Sequence, residues 1–145
     1  MVRRPVSPPM TIFVMDASAV LRLLDNEAGR DRVEAIFEEY WDQAGRVEIS
    51  AVQWGEIAGR VRMKSGLGEQ GRAMRRLREL QLRVIDATPE RAVHAAELKI
   101  DRKISYADAF ALDLAMQSPQ HLLVTADYGF KAVEDLARIE FLPVK

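Results

Sequence analysis

The sequence predicts an α/β protein, a three-layer α/β/α sandwich around a mostly parallel central sheet. Short apolar, β-rich runs alternate with helical patterns along the chain. That alternation is what helices packed on a parallel sheet require. The 145 residues are 48% hydrophobic and 30% charged, enough for one domain with its own core. There is no cysteine, so neither disulfides nor thiolate metal sites stabilise the fold.

Residues 11–15 (TIFVM) form a short buried strand that ends at Asp16. From Ser18 the pattern turns helical (SAVLRLLDNE). A second helix over 29–44 aligns Val33, Ile36, Phe37, Tyr40 and Trp41, and Gly45 suits its C′ position. Residues 47–50 are a strand. Ser50 and Gln53 make a capping-box pair that opens a helix over 51–64. Gly66 and Gly68 punctuate before a basic helix over 69–81, and a strand follows over 82–86. Thr88-Pro89-Glu90 starts a helix with proline at N1. Ser105 caps a helix over 105–117, which Ser118-Pro119 breaks. Residues 121–125 form a strand and 128–137 a short helix. Residues 139–144 are an edge strand, because Pro143 cannot donate to a ladder. Residues 1–9 are expected to be a flexible, Pro-rich leader and 10–145 a single domain, with Met10 an alternative start.

The net charge of −1, from 21 Lys+Arg against 22 Asp+Glu, does not single out nucleic acid, although it permits a local basic patch. No apolar run approaches the roughly 20 residues of a membrane span. Asp16 and Arg22 inside the first apolar segment exclude a secretory h-region. The expected location is the cytoplasm, without a membrane partner.

In open parallel sheets ligands bind beyond the carboxyl ends of the strands, so the residues there decide the chemistry. Asp16 closes the first strand and also suits an N-cap. Asp127 follows the strand HLLVT and also suits a turn or cap. Glu56 shares a helical stripe with Val52, Gly59 and Met63 and is the stripe's one charge, with Arg60 as the alternative salt-bridge partner. Asp108 stands at N3 after Ser105, a capping position, but heads an apolar stripe with Ala111, Leu112 and Ala115 that should face the sheet. Asp113 lies about 140° further round the helix and is expected to be solvated. Four carboxylates turned toward one crevice repel one another unless a cation compensates. An oxygen-only set suits Mg²⁺ or Mn²⁺, and His94 and His121 are not spaced as a zinc pair.

The segments VMDASAVLRLL, SAVQWGE, ISYADAFALDLA and LLVTADYGF resemble, in order and spacing, the four acidic motifs of PIN domains. They are most similar to VapC toxins of type II VapBC toxin–antitoxin systems, over about residues 11–143. Carried over by position, the resemblance implies Asp16, Glu56, Asp108 and Asp127 as catalytic, metal-binding acids, with Ser18 and Thr125 in support. It implies hydrolysis of RNA phosphodiester bonds with Mg²⁺ or Mn²⁺, leaving 3′-hydroxyl and 5′-phosphate ends. It also implies a VapB-type antitoxin partner and a homodimer. Gln53-Trp54 is bulkier than the family pattern before Glu56, and Tyr128-Gly129 stands where a charged pair is common.

Phosphate contacts need cations. Arg72, Arg75 and Arg76 on the basic helix are the candidates for RNA binding, with Arg78 and Arg83 nearby and Arg60, Arg62 and Lys64 before them. The competing reading is a solvated face paired with Glu69 and Glu79. Trp54, Phe110 and Phe130 are candidate stacking partners, core packing being the better reading for the phenylalanines. Among rival functions, an aspartyl-nucleophile phosphatase wants a second aspartate where Ser18 stands. A phosphoacceptor domain wants a lysine after HLLVT, where none occurs. The non-enzymatic alternative is a degenerate PIN domain that binds RNA or protein.

Overall fold

The computed structural model describes residues 10–43 and 45–144. The expected leader over 1–9 lies outside the described residues. Five parallel strands form one sheet in the order β3-β2-β1-β4-β5, with β1 Ile12–Met15, β2 Val47–Ser50, β3 Arg83–Ile85, β4 His121–Thr125 and β5 Arg138–Phe141. The helices are α1 Ala17–Leu24, α2 Arg30–Tyr40, α3 Ala51–Glu79, α4 Pro89–Arg102 and α5 Tyr106–Ala115. The expected α/β/α sandwich is therefore the observed one, and its sheet is wholly parallel.

The three layers follow from side-chain alternation along the strands. Phe13 and Met15 of β1, Val47 and Ile49 of β2 and Val124 of β4 pack with Val20 and Leu23 of α1, Ile36 and Phe37 of α2 and Ile57 and Leu77 of α3. Val14 and Leu123 point the other way, against Ala95 and Leu98 of α4 and Phe110, Leu112 and Leu114 of α5. Both sheet faces are covered, so β1 reads as a continuous apolar run.

Several boundaries differ from the sequence reading. α2 ends at Tyr40, and Trp41 is 57% exposed rather than on the buried face. Gly45, at φ +85°, sits in the turn before β2 and not at the helix C′. α3 continues past Lys64 to Glu79 through one break at Gly66, whose φ of +87° and ψ of 177° lie outside the helical region. Gly66 is the residue that tolerates this conformation. Gln70 spans the break, donating from Nε2 to the Ala58 carbonyl at 3.0 Å. The segment after β4 is a 3₁₀ turn over Tyr128–Val133, shorter than the expected helix. β5 ends at Phe141, so Pro143 lies beyond the edge strand.

Candidate active site

Chain crossovers leave β1 and β4 in opposite directions, which makes the crevice above these adjacent strands the topological switch point of the sheet. Asp16 follows β1 directly. The register Met15↔Val124 sets the next residue of each strand, Asp16 and Thr125, side by side.

Asp16 is 2% exposed and caps α1. Its Oδ1 accepts from the Ser18 hydroxyl at 2.7 Å and the Ala19 amide at 2.9 Å, and its Oδ2 from the Thr125 hydroxyl at 2.6 Å. A carboxylate offers about four acceptor sites, so capacity remains on Oδ2 for a further ligand. Burial raises its pKa to about 6, and the charge of Asp108 adds to the rise. The hydrogen bonds from Thr125, Ala19 and Ser18 oppose it. The cap reading and the site reading of Asp16 thus describe the same carboxylate.

Ser18 and Thr125 also bind the other strand end. The Ser18 hydroxyl accepts from the Ala126 amide at 2.9 Å, and the Thr125 hydroxyl accepts from the Asp127 amide at 2.9 Å. Asp127 is exposed, and its Oδ1 accepts from the Gly129 amide at 2.8 Å. A Cβ at position 129 would lie 3.0 Å from that oxygen, a tight approach that the glycine avoids.

Asp108 enters from α5, where Ser105 caps the helix by accepting from the Asp108 amide at 3.1 Å. The half-buried Asp108 carboxyl is pushed above its ordinary range by burial first and by the Asp127 charge second. Ser105 opposes the rise, Glu56 adds to it, and Gln53 opposes it. Asp108 is therefore within electrostatic reach of the other three acids. Glu56 projects from α3, is exposed, and forms no ion pair with Arg60 among the described residues.

Asp113 departs from expectation. It is 2% exposed rather than solvated. It accepts from Arg91 at 2.9 Å and lies 2.7 Å from His94 Nδ1, an α4–α5 link apart from the acid cluster. His121 lies 3.4 Å from Glu48 and 2.7 Å from the Ser118 hydroxyl, so both histidines have partners elsewhere. Phe110 and Phe130 are buried in the core. Trp54 is half-buried, with the Arg78 guanidinium 5.2 Å from its ring centroid. Arg72 is paired with Glu69, as a solvated face would be, while exposed Arg75 and Arg76 form no ion pair among the described residues.

Sequence reasoning missed Gln53. It does not complete a capping box, because Ser50 accepts from the Val52 amide and the Gln53 amide points elsewhere. Its Oε1 accepts from the Ala17 amide at 2.7 Å and its Nε2 donates to the Ala107 carbonyl at 2.6 Å. The only sequence signal was its bulk before Glu56.

The donor set can be tested against a divalent cation. All four groups are carboxylates, and burial together with neighbouring negative charge raises the pKa of both Asp16 and Asp108, a cost to their ionised forms that a cation would offset. Among the described residues no three His, Asp or Glu side chains form a ready-made cage. Mg²⁺ does not need one, since it keeps several waters and commonly takes one or two carboxylates together with substrate phosphate. The residues fit such an ion.

Fold and site define an α/β protein with an acidic crevice at its switch point. The PIN domain family model matches residues 13–136, and the chain belongs to that family. No curated protein matches it by sequence. Among solved structures it is similar to VapBC2 from Rickettsia felis bound to a DNA fragment from its promoter, at TM-score 0.70 and 18% identity over 92% of this chain and 100% of that one. It is similar to VapC20 of Mycobacterium tuberculosis, described as a sarcin-ricin-loop-cleaving toxin, at TM-score 0.64 and 18% identity over 83% and 94% of the two chains. FitAcB from Neisseria gonorrhoeae aligns at TM-score 0.61 and 21% identity over 89% and 97%. At these identities the likeness establishes the fold.

Proposed function

We propose that this PIN domain is a metal-dependent endoribonuclease, the toxin half of a toxin–antitoxin pair. What supports the reading most is that Thr125 ties Asp16 to the Asp127 backbone at the switch point, while the charge of Asp108 raises the Asp16 pKa and those of Asp127 and Glu56 raise that of Asp108. The VapBC neighbours support the toxin role and a VapB-type antitoxin partner, and the sarcin-ricin-loop-cleaving VapC20 supports an RNA substrate; action in the cytoplasm belongs to the same proposal. Among the described residues no helix is long and apolar enough to cross a membrane. A homodimer is part of the same reading.

Asp16, Asp108 and Asp127 would hold Mg²⁺ or Mn²⁺, directly or through water, and Glu56 would take a second ion or orient the attacking water. The bound ion would supply hydroxide near neutral pH and neutralise charge on the phosphoryl oxygens. Ser18 and Thr125 keep the Asp16 carboxylate in one rotamer through the bonds described above. Arg75 and Arg76 would meet RNA phosphates, with Arg72 joining them if its pair with Glu69 opens.

The test is cleavage of a total RNA sample by purified protein. Cleavage should need Mn²⁺ or Mg²⁺, stop in excess chelator, and vanish in Asp16→Asn. Cleavage in chelator, or by Asp16→Asn at the wild-type rate, would refute the mechanism. Metal and RNA binding without cleavage would instead assign the degenerate, non-catalytic module.

A further inference from the structure

Among the buried polar side chains that the proposed chemistry does not use, Gln53 lies beside the acids. Gln53 is 1% exposed, and its amide joins three helices. Ala17, whose amide it binds, directly follows Asp16. Ala107, whose carbonyl it binds, directly precedes Asp108. Gln53 itself sits on α3 three residues before Glu56. One neutral group therefore links the backbone beside two of the acids to the helix that carries the third.

The residue type matters. The first amides of a helix lack intrahelical partners, so the Ala17 N–H requires an acceptor. The Ala107 carbonyl takes a donor from the same side chain. A primary amide offers acceptor and donor on one planar group without charge. A glutamate of equal length would offer only acceptors when ionised and would add a negative charge to an acidic crevice. A methionine of similar length would leave both backbone contacts unmade. The N-termini of α1 and α5 carry carboxylates that repel each other, and the amide opposes their separation.

We propose that Gln53 is a positioning residue of the cation centre, fixing the distance between Asp16 and Asp108 through the Ala17 and Ala107 backbone; this rests on the nuclease reading. In this role it would act on the acids and their backbone neighbours and would not itself ligate the ion. Groups that orient metal ligands through hydrogen bonds typically change affinity or activity about 10–100-fold when removed.

The experiment measures Mn²⁺ binding by titration calorimetry in wild type, Gln53→Met, Gln53→Asn and Ile57→Val, with RNA cleavage in parallel. Gln53→Asn keeps the amide and shortens its reach, so it tests position should the methionine variant fold poorly. Ile57→Val trims a fully buried core residue one turn along the same helix and controls for destabilisation. Both Gln53 variants should bind Mn²⁺ at least about tenfold more weakly when folded, with kcat reduced and KM for RNA unchanged. Ile57→Val should bind as wild type does. A folded Gln53 variant with wild-type Mn²⁺ affinity, or an equal loss in Ile57→Val, overturns the positioning role while leaving the nuclease intact. Wild type that neither binds Mn²⁺ nor cleaves RNA overturns the nuclease reading, and the inference falls with it.

Discussion

Thr125, the last residue of β4, donates its hydroxyl to Asp16 at the end of β1 across 2.6 Å. The same oxygen accepts from the Asp127 amide at 2.9 Å. One side chain thus fixes the first and last acids of the cluster, which lie 111 residues apart in sequence (127 − 16). Thr125→Val is expected to destabilise the fold by about 1–3 kcal/mol, because it strips a donor from a buried carboxylate and an acceptor from an amide. It should also move the acid limb of the rate–pH profile to higher pH, since the Thr125 bond lowers the Asp16 pKa. Thr125→Ser should restore both. Denaturant unfolding and a rate–pH profile read the two effects. An unchanged profile in Thr125→Val would break the link between hydroxyl and carboxylate.

The raised pKa of Asp16 gives stability a definite sign. The folded state holds its proton up to about pH 6, while an unfolded aspartate releases it near 3.8. The folded state therefore binds more protons between those values, and stability without divalent metal should fall as pH rises through that window. The loss is complete above the folded pKa and amounts to about 3 kcal/mol for this group. Asp16→Asn should flatten that part of the curve. Urea unfolding from pH 4 to 7 in chelator measures it, and stability that rises with pH in the wild type but not in Asp16→Asn would reverse the assignment.

Metal affinity should show the opposite trend, because ligation needs the ionised carboxylate. Mn²⁺ binding is expected to weaken about tenfold between pH 7 and pH 5, and saturating metal should raise the melting temperature by several degrees at pH 7. Neither effect should survive in Asp16→Asn.

Asp113 and Asp108 lie on the same helix but should behave differently. Asp113→Ala breaks the buried link to Arg91 and His94 and is expected to cost about 3 kcal/mol of stability, with RNA cleavage retained in the folded fraction. Asp108→Asn should abolish cleavage with little loss of stability. An inactive, stable Asp113→Ala would place Asp113 in the catalytic machinery after all.

The contrast between these two aspartates also marks how far the sequence could be read. Asp108 was legible because a capping serine and an apolar stripe fix its position on α5 locally. The burial of Asp113 was not, since its partners Arg91 and His94 come from another helix, and sequence spacing carries no information on that packing. The strand ends at Asp16 and Thr125 followed from apolar runs with clear stops. Gln53 failed for the opposite reason. A glutamine three residues after a capping serine matches a local motif, and the long-range bonds to Ala17 and Ala107 displaced it. The continuation of α3 beyond Gly66 was hidden because a glycine pair usually ends a helix, whereas here the chain breaks for one residue and resumes.

Replacing both Arg75 and Arg76 by alanine should weaken RNA binding with kcat unchanged. The slope of log K against log salt should fall by about 1.4 if each contacts one phosphate of single-stranded RNA. An unaltered slope would leave this helix as a solvated face.

The most direct measurement is a crystal soaked in Mn²⁺ and examined by anomalous scattering. Strong signal is expected in the crevice above β1 and β4, in contact with Asp16, Asp108 or Asp127 directly or through ordered water. Signal only at other carboxylates, with this crevice empty at a Mn²⁺ concentration that supports cleavage, would contradict the central claim.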